Sequence, residues 1–445
     1  MSGATTSVEL RAHNRVRLLR AVHDCGATRT RSQLTRDLGL ARGTASVLAA
    51  ELAEDRLAHE APAAEHGRGR PTQVPGPHPH GPLALAVDLR EDGWEIAAGE
   101  LGGHTTVLGT GHHDGTPEDA FGPLGEALRG HLRRLGPRVV GVGVAVAGPV
   151  RAGGLVDVAH LRWRSVDVPA LLGLGGTVPR VSNDTAFAAL AEARRGLLRG
   201  VGVGLHLHVD FDLGGVLVVE GRPLGGAGGM GAEFGHMPLT GGTAPCMCGA
   251  HGCWGLDVGA NALLRHLGLA YGGGRGRAQA GHILAQATTQ ASTSPSADLP
   301  LGASTGLGAS ASPSADIPVD ADARLGASAG GEAAGRAVRA CARALGRGIA
   351  ALVNAHDPEV VTLSGLGADL YERALPALVE PFETGLMTIR RERPPRLAAS
   401  ALGWRGALVG AVESVFDDFL TVQGVEAWRR HRARQTPATR PDHEM

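Results

Sequence analysis

Apolar residues recur at helical spacing from the start of the chain. Val16, Leu18, Leu19 and Val22 form a stripe between about Asn14 and Asp24, and Thr30 then caps a second helix carrying Leu34 and Leu38, which Gly39 breaks. A third helix opens in A-R-G-T-A-S-V-L-A-A-E-L-A-E-D from Ala41, with Val47, Leu48 and Leu52 expected inward and Arg42, Gly43, Thr44 and Ser46 at its exposed start. Helix, short glycine-containing turn and helix is the pattern of a helix-turn-helix, whose second helix enters a major groove by its N-terminal residues. Behind it, Gly67-Arg68-Gly69-Arg70-Pro71 reads as the basic tip of a wing whose arginines suit a narrow minor groove. A small helical interaction domain is the competing reading of residues 14–60.

From Leu83 the period shortens to that of strands. L-A-L-A-V-D-L, E-I-A-A-G-E-L and T-T-V-L-G predict an antiparallel meander. A helix from about Pro117 to Leu135 follows, then V-V-G-V-G-V-A-V-A-G-P as a buried strand, V-P-R-V-S-N-D, and a helix over Thr185–Arg195. A second series begins at Val201 with V-G-V-G-L-H-L-H-V-D and V-L-V-V-E-G-R and ends near P-E-V-V-T-L-S-G-L-G. Two mixed sheets, each followed by helices, predict a duplicated two-lobed α/β fold with a cleft between the lobes.

The 445 residues exceed what one core usually holds, so two or three domains are expected. Net charge is −1, which leaves no global field to attract nucleic acid or membrane, and any basic surface must be local. Lysine is absent, so all 43 basic residues are arginines. No apolar run approaches the length of a membrane span and the first thirty residues carry charges throughout, so neither a span nor a signal peptide is expected and the protein reads as cytoplasmic. Residues 272 to about 330 are dominated by small and polar residues, with S-P-S-A-D and L-G-A-S repeated; such a stretch buries too little apolar surface to offset its chain entropy and is expected to be a disordered insertion.

Candidate chemistry concentrates in H-x9-C-M-C-G-A-H-G-C. His236, Cys246, Cys248 and Cys253 fall within eighteen residues and include three of the five cysteines, a donor set suited to a closed tetrahedral zinc site of structural type. A disulfide framework is the alternative, and the odd number of clustered thiols argues against it. Gly249 and Gly252 allow the tight reversal that brings Cys248 and Cys253 together, while His251 reads as solvent-exposed.

With these motifs the chain resembles the ROK family of sugar-responsive transcriptional repressors and sugar kinases. The resemblance lies in the N-terminal winged helix, Asn183-Asp184, Glu233-Phe234-Gly235-His236 and the cysteine cluster, and it covers nearly the whole chain. It implies the actin-like, ribonuclease-H-like two-lobed fold with a structural zinc and, through the winged helix, the repressor branch. It also implies that Asn183, Asp184, Glu233 and His236 hold sugar hydroxyls, with Asp184 standing where the kinases keep their catalytic base. Physically, carboxylates and a carboxamide at strand ends offer the convergent donors and acceptors that a polyhydroxylated ligand needs, and His236 could serve metal and ligand with its two nitrogens.

The departures from the family are specific. Where the kinases carry D-x-G-G-T, this chain reads Asp88-Leu89-Arg90-Glu91-Asp92-Gly93, and where they carry G-T-G-x-G it reads Val209-Asp210-Phe211-Asp212-Leu213-Gly214-Gly215. Glu91, Asp92, Asp210 and Asp212 would repel a polyphosphate by several kcal/mol at short range. The glutamate expected two residues after Cys253 is Gly255, which removes a charge-assisted hydrogen bond of about 1.5–3 kcal/mol. The expected layout is a winged helix over 1–70, a linker over 71–82, lobes over 83–198 and 199–430, and a disordered tail over 431–445. The expected function is a DNA-binding regulator without phosphoryl transfer, a homodimer on a palindromic operator that contacts it through Arg42, Thr44, Ser46, Arg68 and Arg70 and senses a sugar-like effector. A sugar kinase using Asp184 as base is the alternative, and a ligand-independent repressor a third reading.

Overall fold

The structure is a computed structural model that describes residues 7–62, 73–231, 233–269, 276–291 and 331–435. At the N-terminus stand helices α1 (Ser7–Asp24), α2 (Arg31–Asp37) and α3 (Arg42–Glu54), then the antiparallel pair β1 (Ala58–Pro62) and β2 (Gln73–Pro77). Thr30 starts α2 in a capping box, its hydroxyl accepting from the Gln33 N–H while the Gln33 side chain accepts from the Thr30 N–H. Two expectations change here. β2 occupies residues assigned to a linker, and Val47 is not inward but 49% exposed. Helix α3 buries Ala45, Leu48 and Leu52, and at about 100° per residue Val47 lies about 100° or more from each of them.

The first lobe contains β3 (Leu83–Leu89), β4 (Gly93–Glu100), β5 (Thr105–His112), α4 (Pro117–Leu135), β6 (Val139–Val146), the small sheet of β7 (Val150–Arg151), β8 (Leu155–Val158) and β9 (Trp163–Asp167), α5 (Val168–Leu172), β10 (Arg180–Asn183) and α6 (Asp184–Arg195). Its main sheet has the order β10-β6-β3-β4-β5, with β3–β4–β5 antiparallel and β6 and β10 added in parallel.

The second lobe repeats this plan. It comprises β11 (Val203–Val209), β12 (Leu213–Val219), β13 (Arg222–Pro223), α7 (Ala260–His266), α8 (Gly276–Ala291), α9 (Gly331–His356), β14 (Val360–Gly365), α10 (Leu366–Arg373), α11 (Leu375–Gly385), α12 (Thr388–Arg391) and β15 (Arg396–Ala399). The order β13-β12-β11-β14-β15 has the same pattern of antiparallel and parallel neighbours as the first sheet. The expected duplication is therefore present strand for strand.

Three boundaries differ from the sequence reading. The stretch expected to be disordered from 272 contains α8, whose Ala280, Ile283 and Leu284 are buried against α9; their spacing of three and four residues is an apolar stripe set inside a biased composition. Residues 292–330 of that expectation lie outside the described residues. The final helices α13 (Gly406–Phe419) and α14 (Val422–Gln435) return to the first lobe instead of completing the second, and α14 runs into the expected tail. The alternating glycines of β6 explain the return, because a Cβ at Gly141 or Gly143 would collide with Val415 or with the Ala411 carbonyl of α13. One apolar cluster then joins Leu18, Leu19, Leu48 and Leu52 of the N-terminal module to Ala84 and Ala97 of the first sheet and to Phe416, Val425 and Trp428.

Candidate functional site

Strand β10 delivers Asn183 and Asp184 to the cleft. Asn183 caps α6, its side-chain oxygen accepting from the Ala186 N–H at 3.1 Å while its Nδ2 donates to the Gly148 carbonyl at 3.1 Å. The helix cap is therefore Asn183, which leaves the Asp184 carboxylate to face the cleft. Asp184 Oδ1 accepts from the Thr185 N–H at 2.6 Å and from the Thr185 hydroxyl at 3.2 Å. Burial pushes its carboxyl up to about 6, with Asp88 and Asp210 adding to the rise and His208 opposing it. From the other lobe comes Glu233, which burial and the Asp184 charge push up to about 7; its Oε2 lies 4.0 Å from His236 Nε2. Asn183, Asp184, Glu233 and His236, far apart in sequence, therefore share one cleft.

The two turns expected to face a phosphate chain border the same cleft. Arg90 lies among Asp88 at 2.9 Å, Asp92 at 3.8 Å and Glu95 at 3.9 Å. His160 spans the lobes, with Nε2 3.2 Å from buried Glu91 and Nδ1 3.9 Å from Asp212. Burial and nearby His236 hold His160 below the usual imidazole range against the pull of Asp212. At the back, Asp210, Arg277, Asp369 and Trp404 line a cavity of about 220 Å³ with small and apolar neighbours from α7, α8 and α10. Arg277 stacks 3.9 Å over the Trp404 ring and approaches Asp210 at 3.8 Å.

His236, Cys246, Cys248 and Cys253 come together as the spacing implied, their ligand atoms all within 4.8 Å of one another. The Cys248–Cys253 Sγ separation is 3.7 Å and the Cys246 Sγ to His236 Nδ1 separation 3.8 Å. Tetrahedral bonds of about 2.3 Å to sulfur require sulfurs about 3.8 Å apart, so the cage fits a metal ion. Charge gives the same answer: burial and the neighbouring Cys246 and Cys248 push the Cys253 thiol up to about 12, so a cation is needed for the thiolates to coexist. Gly252 makes the reversal possible, with φ +69° and a position where any Cβ would strike the Gly242 carbonyl. His251 is exposed. Buried Trp254 anchors the loop, its Nε1 donating to the Ala344 carbonyl of α9 at 2.9 Å.

On the N-terminal module, Arg42, Thr44 and Ser46 are exposed along α3, while Arg68 and Arg70 lie outside the described residues. The module is tied to the body by charges that the sequence reading did not find. Buried His23 at the end of α1 places Nε2 2.9 Å from Glu413 Oε2 of α13, and Arg195 at the end of α6 donates from Nε to Glu413 Oε1 at 2.8 Å and from Nη1 to the His23 carbonyl at 2.7 Å. The Gly102 N–H donates to His23 Nδ1 at 3.0 Å, and Nε2 faces both Glu413 and the Arg195 Nη2, the latter 2.8 Å away. Arg15 bridges Glu51 of α3 and Glu426 of α14, and Arg429 of α14 reaches Asp55 at 2.7 Å. Helix α6 thus starts at the cleft and ends, about 18 Å away, against the N-terminal module.

Of the residues missed, Arg277 and its neighbours were legible in the apolar stripe of α8. His160, Glu413 and Arg195 carried no local signal, since their partners are distant in sequence.

Comparison with known proteins bears on this frame directly. The chain is 31% identical over 193 residues to a glucokinase of Streptomyces coelicolor, covering 41% of this chain and 58% of the glucokinase. It is 22% identical over 245 residues to the xylose repressor of Bacillus spizizenii, covering 54% of this chain and 64% of the repressor. The chain thus spans under two thirds of the length of these curated relatives. Among solved structures, a ROK family transcriptional regulator, a homolog of the E. coli MLC protein, superposes with a TM-score of 0.64 at 20% identity over 94% of this chain and 99% of its own. A ROK family glucokinase from Streptomyces griseus, in complex with glucose and AMPPNP, gives 0.57 at 20% identity over 75% of this chain and 99% of its own. The likeness covers the α/β frame expected from the sequence. The model of the ROK family itself matches residues 116–417, about two thirds of the chain and the stretch that carries Asn183, Asp184, Glu233, His236 and the metal cage, and by that match the chain belongs to the ROK family.

Proposed function

We propose that this protein is a DNA-binding transcriptional regulator, a repressor, whose ROK body senses a sugar or sugar derivative without transferring phosphate. The observation that carries the reading is the N-terminal helical module with its exposed α3 face, built into the same apolar cluster as the body. Arg42, Thr44 and Ser46 contact bases and phosphates in the major groove, Arg68 and Arg70 enter the minor groove, and a homodimer presents two α3 helices to a palindrome. Zinc is the ion for the cage, because one imidazole and three thiolates in a tetrahedron are its characteristic donor set, and its role is structural.

In the cleft, Asn183, Asp184, Glu233 and His236 hold hydroxyl groups. A bound ligand fixes the start of α6, whose other end holds Glu413 and His23, so a ligand that prefers one lobe arrangement shifts the pose of the DNA-binding module. Against phosphoryl transfer stand Asp88, Glu91, Asp92, Asp210 and Asp212 at the two turns; among the described residues Arg90 and Arg277 are the arginines paired with them, and Arg277 is already stacked in the cavity. The test is a gel-shift titration on a duplex selected with the full chain. Arg42→Ala and Arg70→Ala are each expected to weaken binding, and unchanged affinity in both would remove the assignment.

Two observations favour a second reading, a sugar kinase: a glucokinase relative is 31% identical over 193 residues of this chain, and Asp184 at about 6 is ionised at neutral pH as a base must be. That reading requires ADP release from ATP with a hexose, abolished by Asp184→Asn.

A further inference from the structure

The outward face of α3 is built unlike its buried one. Taking Val47 as origin, a rotation of about 100° per residue sets Gly43 and Ala50 about 40° and 60° to one side and Thr44 about 60° to the other. All four are exposed, as is Ser46, whereas Ala45, Leu48 and Leu52 fill the opposite side. As far as Ala50 the side chains beside Val47 on this face are therefore short, from Gly43, Thr44 and Ala50; long ones enter only toward the C-terminal end, where Glu51 and Glu54 lie about 40° and 20° from Val47 and Glu51 is drawn aside to Arg11 and Arg15. The flanks are basic, with Arg36 of α2 and Arg42 at the first turn of α3 both exposed. A helix so trimmed can lie deep against a surface and make a single apolar contact at its centre. In a major groove the one apolar base feature is the thymine C5 methyl.

The geometry points to Val47 as a specificity-determining residue that reads a thymine methyl in each half-site. The inference rests on the reading of α3 as the recognition helix and adds to it the base that the helix selects. Burial of one methyl-sized group corresponds to about 0.8 kcal/mol, or about fourfold in affinity per half-site.

The test uses the full chain and a duplex enriched from a random library, in which each thymine is replaced singly by deoxyuridine to delete only the methyl. One thymine per half-site is expected to lose about fourfold with the unaltered protein. Val47→Ala, which alters both half-sites of the homodimer, is expected to bind the all-thymine duplex about sixteenfold more weakly and to lose nothing further at that uridine, closing a double-mutant cycle. Because Val47 is half exposed, Val47→Ala should retain the thermal midpoint, and its sedimentation should match that of the unaltered protein. An enriched duplex that Arg42→Ala weakens but whose methyls are all dispensable overturns the role of Val47 and leaves the DNA-binding reading standing. Val47 also loses this role if its alanine variant keeps the full uridine penalty, or if that variant changes the oligomeric state, which would make this face a contact between copies. Failure to enrich any duplex removes both readings together.

Discussion

Replacing Glu413 by glutamine keeps its shape and deletes its charge at the point where α1, α6 and α13 meet. Glu413 is 2% exposed, and both its oxygens are used, one toward His23 and one accepting from Arg195. Burial alone would raise its carboxyl, but the hydrogen bond to His23 and the charge and hydrogen bond of Arg195 outweigh burial and hold it below the ordinary value. Glu413→Gln strands the Arg195 guanidinium, whose side chain is 13% exposed, without its counter-charge. Breaking a buried pair from one side costs about 3–5 kcal/mol, and the partial exposure of Arg195 places this case at about 3 kcal/mol. The loss should be local. Amide exchange measured by mass spectrometry should quicken over Ser7–Asp24 and at Gly102, with Val203–Val209 in the second lobe unchanged, and the thermal midpoint should fall by several degrees. Glu413→Met combined with Arg195→Met should recover most of the loss, because no charge is then left stranded. Unaltered exchange over α1 together with an unaltered midpoint would refute the argument that this triad holds the module to the body.

The same carboxylate predicts acid sensitivity. Its value is depressed, so its contribution is complete above the unfolded value of 4.5 and disappears as pH falls through the lower folded value; exchange over α1 followed from pH 6 to 3 should show this step, and Glu413→Gln should lack it. Asp184 has the opposite sign. Raised from 3.8 to about 6, it binds its proton more tightly when folded, so stability should fall as pH rises from about 4 to 7, and denaturant unfolding of Asp184→Asn should be flatter over that range and more stable at pH 8 by at most about 3 kcal/mol. Gly252→Ala combines a positive φ with a collision against the Gly242 carbonyl, and elemental analysis of the purified protein should find well under one metal per chain where the unaltered protein holds one.

How much of this was legible in the sequence depended on the range of the interaction. Helix α4 over Pro117–Leu135 and the meander β3–β4–β5 matched expectation because their periods are set by neighbours a few residues away, and the metal cage was legible because its four donors fall within eighteen residues. Composition misled where it was used in place of periodicity. The small, polar stretch after Gly272 hid the stripe Ala280, Ile283, Leu284, and α8 now supplies Arg277 to the cavity behind the cleft. Val47 was misplaced for a related reason: valine beside leucine in a helix reads as core, although the rotation set by Ala45, Leu48 and Leu52 turns it away.

What the pattern could not carry was the closure of the chain on itself. His23 and Glu413 are 390 residues apart, Arg15 and Glu426 are 411 apart, and neither pair lies in a motif. Each of these residues alone reads as an ordinary polar position on a helix. Their burial follows only from the return of α13 and α14 across the first sheet, which the glycines of β6 permit and the second lobe's own periodicity does not announce. A charge buried by such a return must find its partner on whichever element it meets, so the pairing is a property of topology. Substitutions at His23, Arg195 or Glu413 should therefore be felt at the joint between module and body and hardly within either, which distinguishes them from substitutions in the cores on each side.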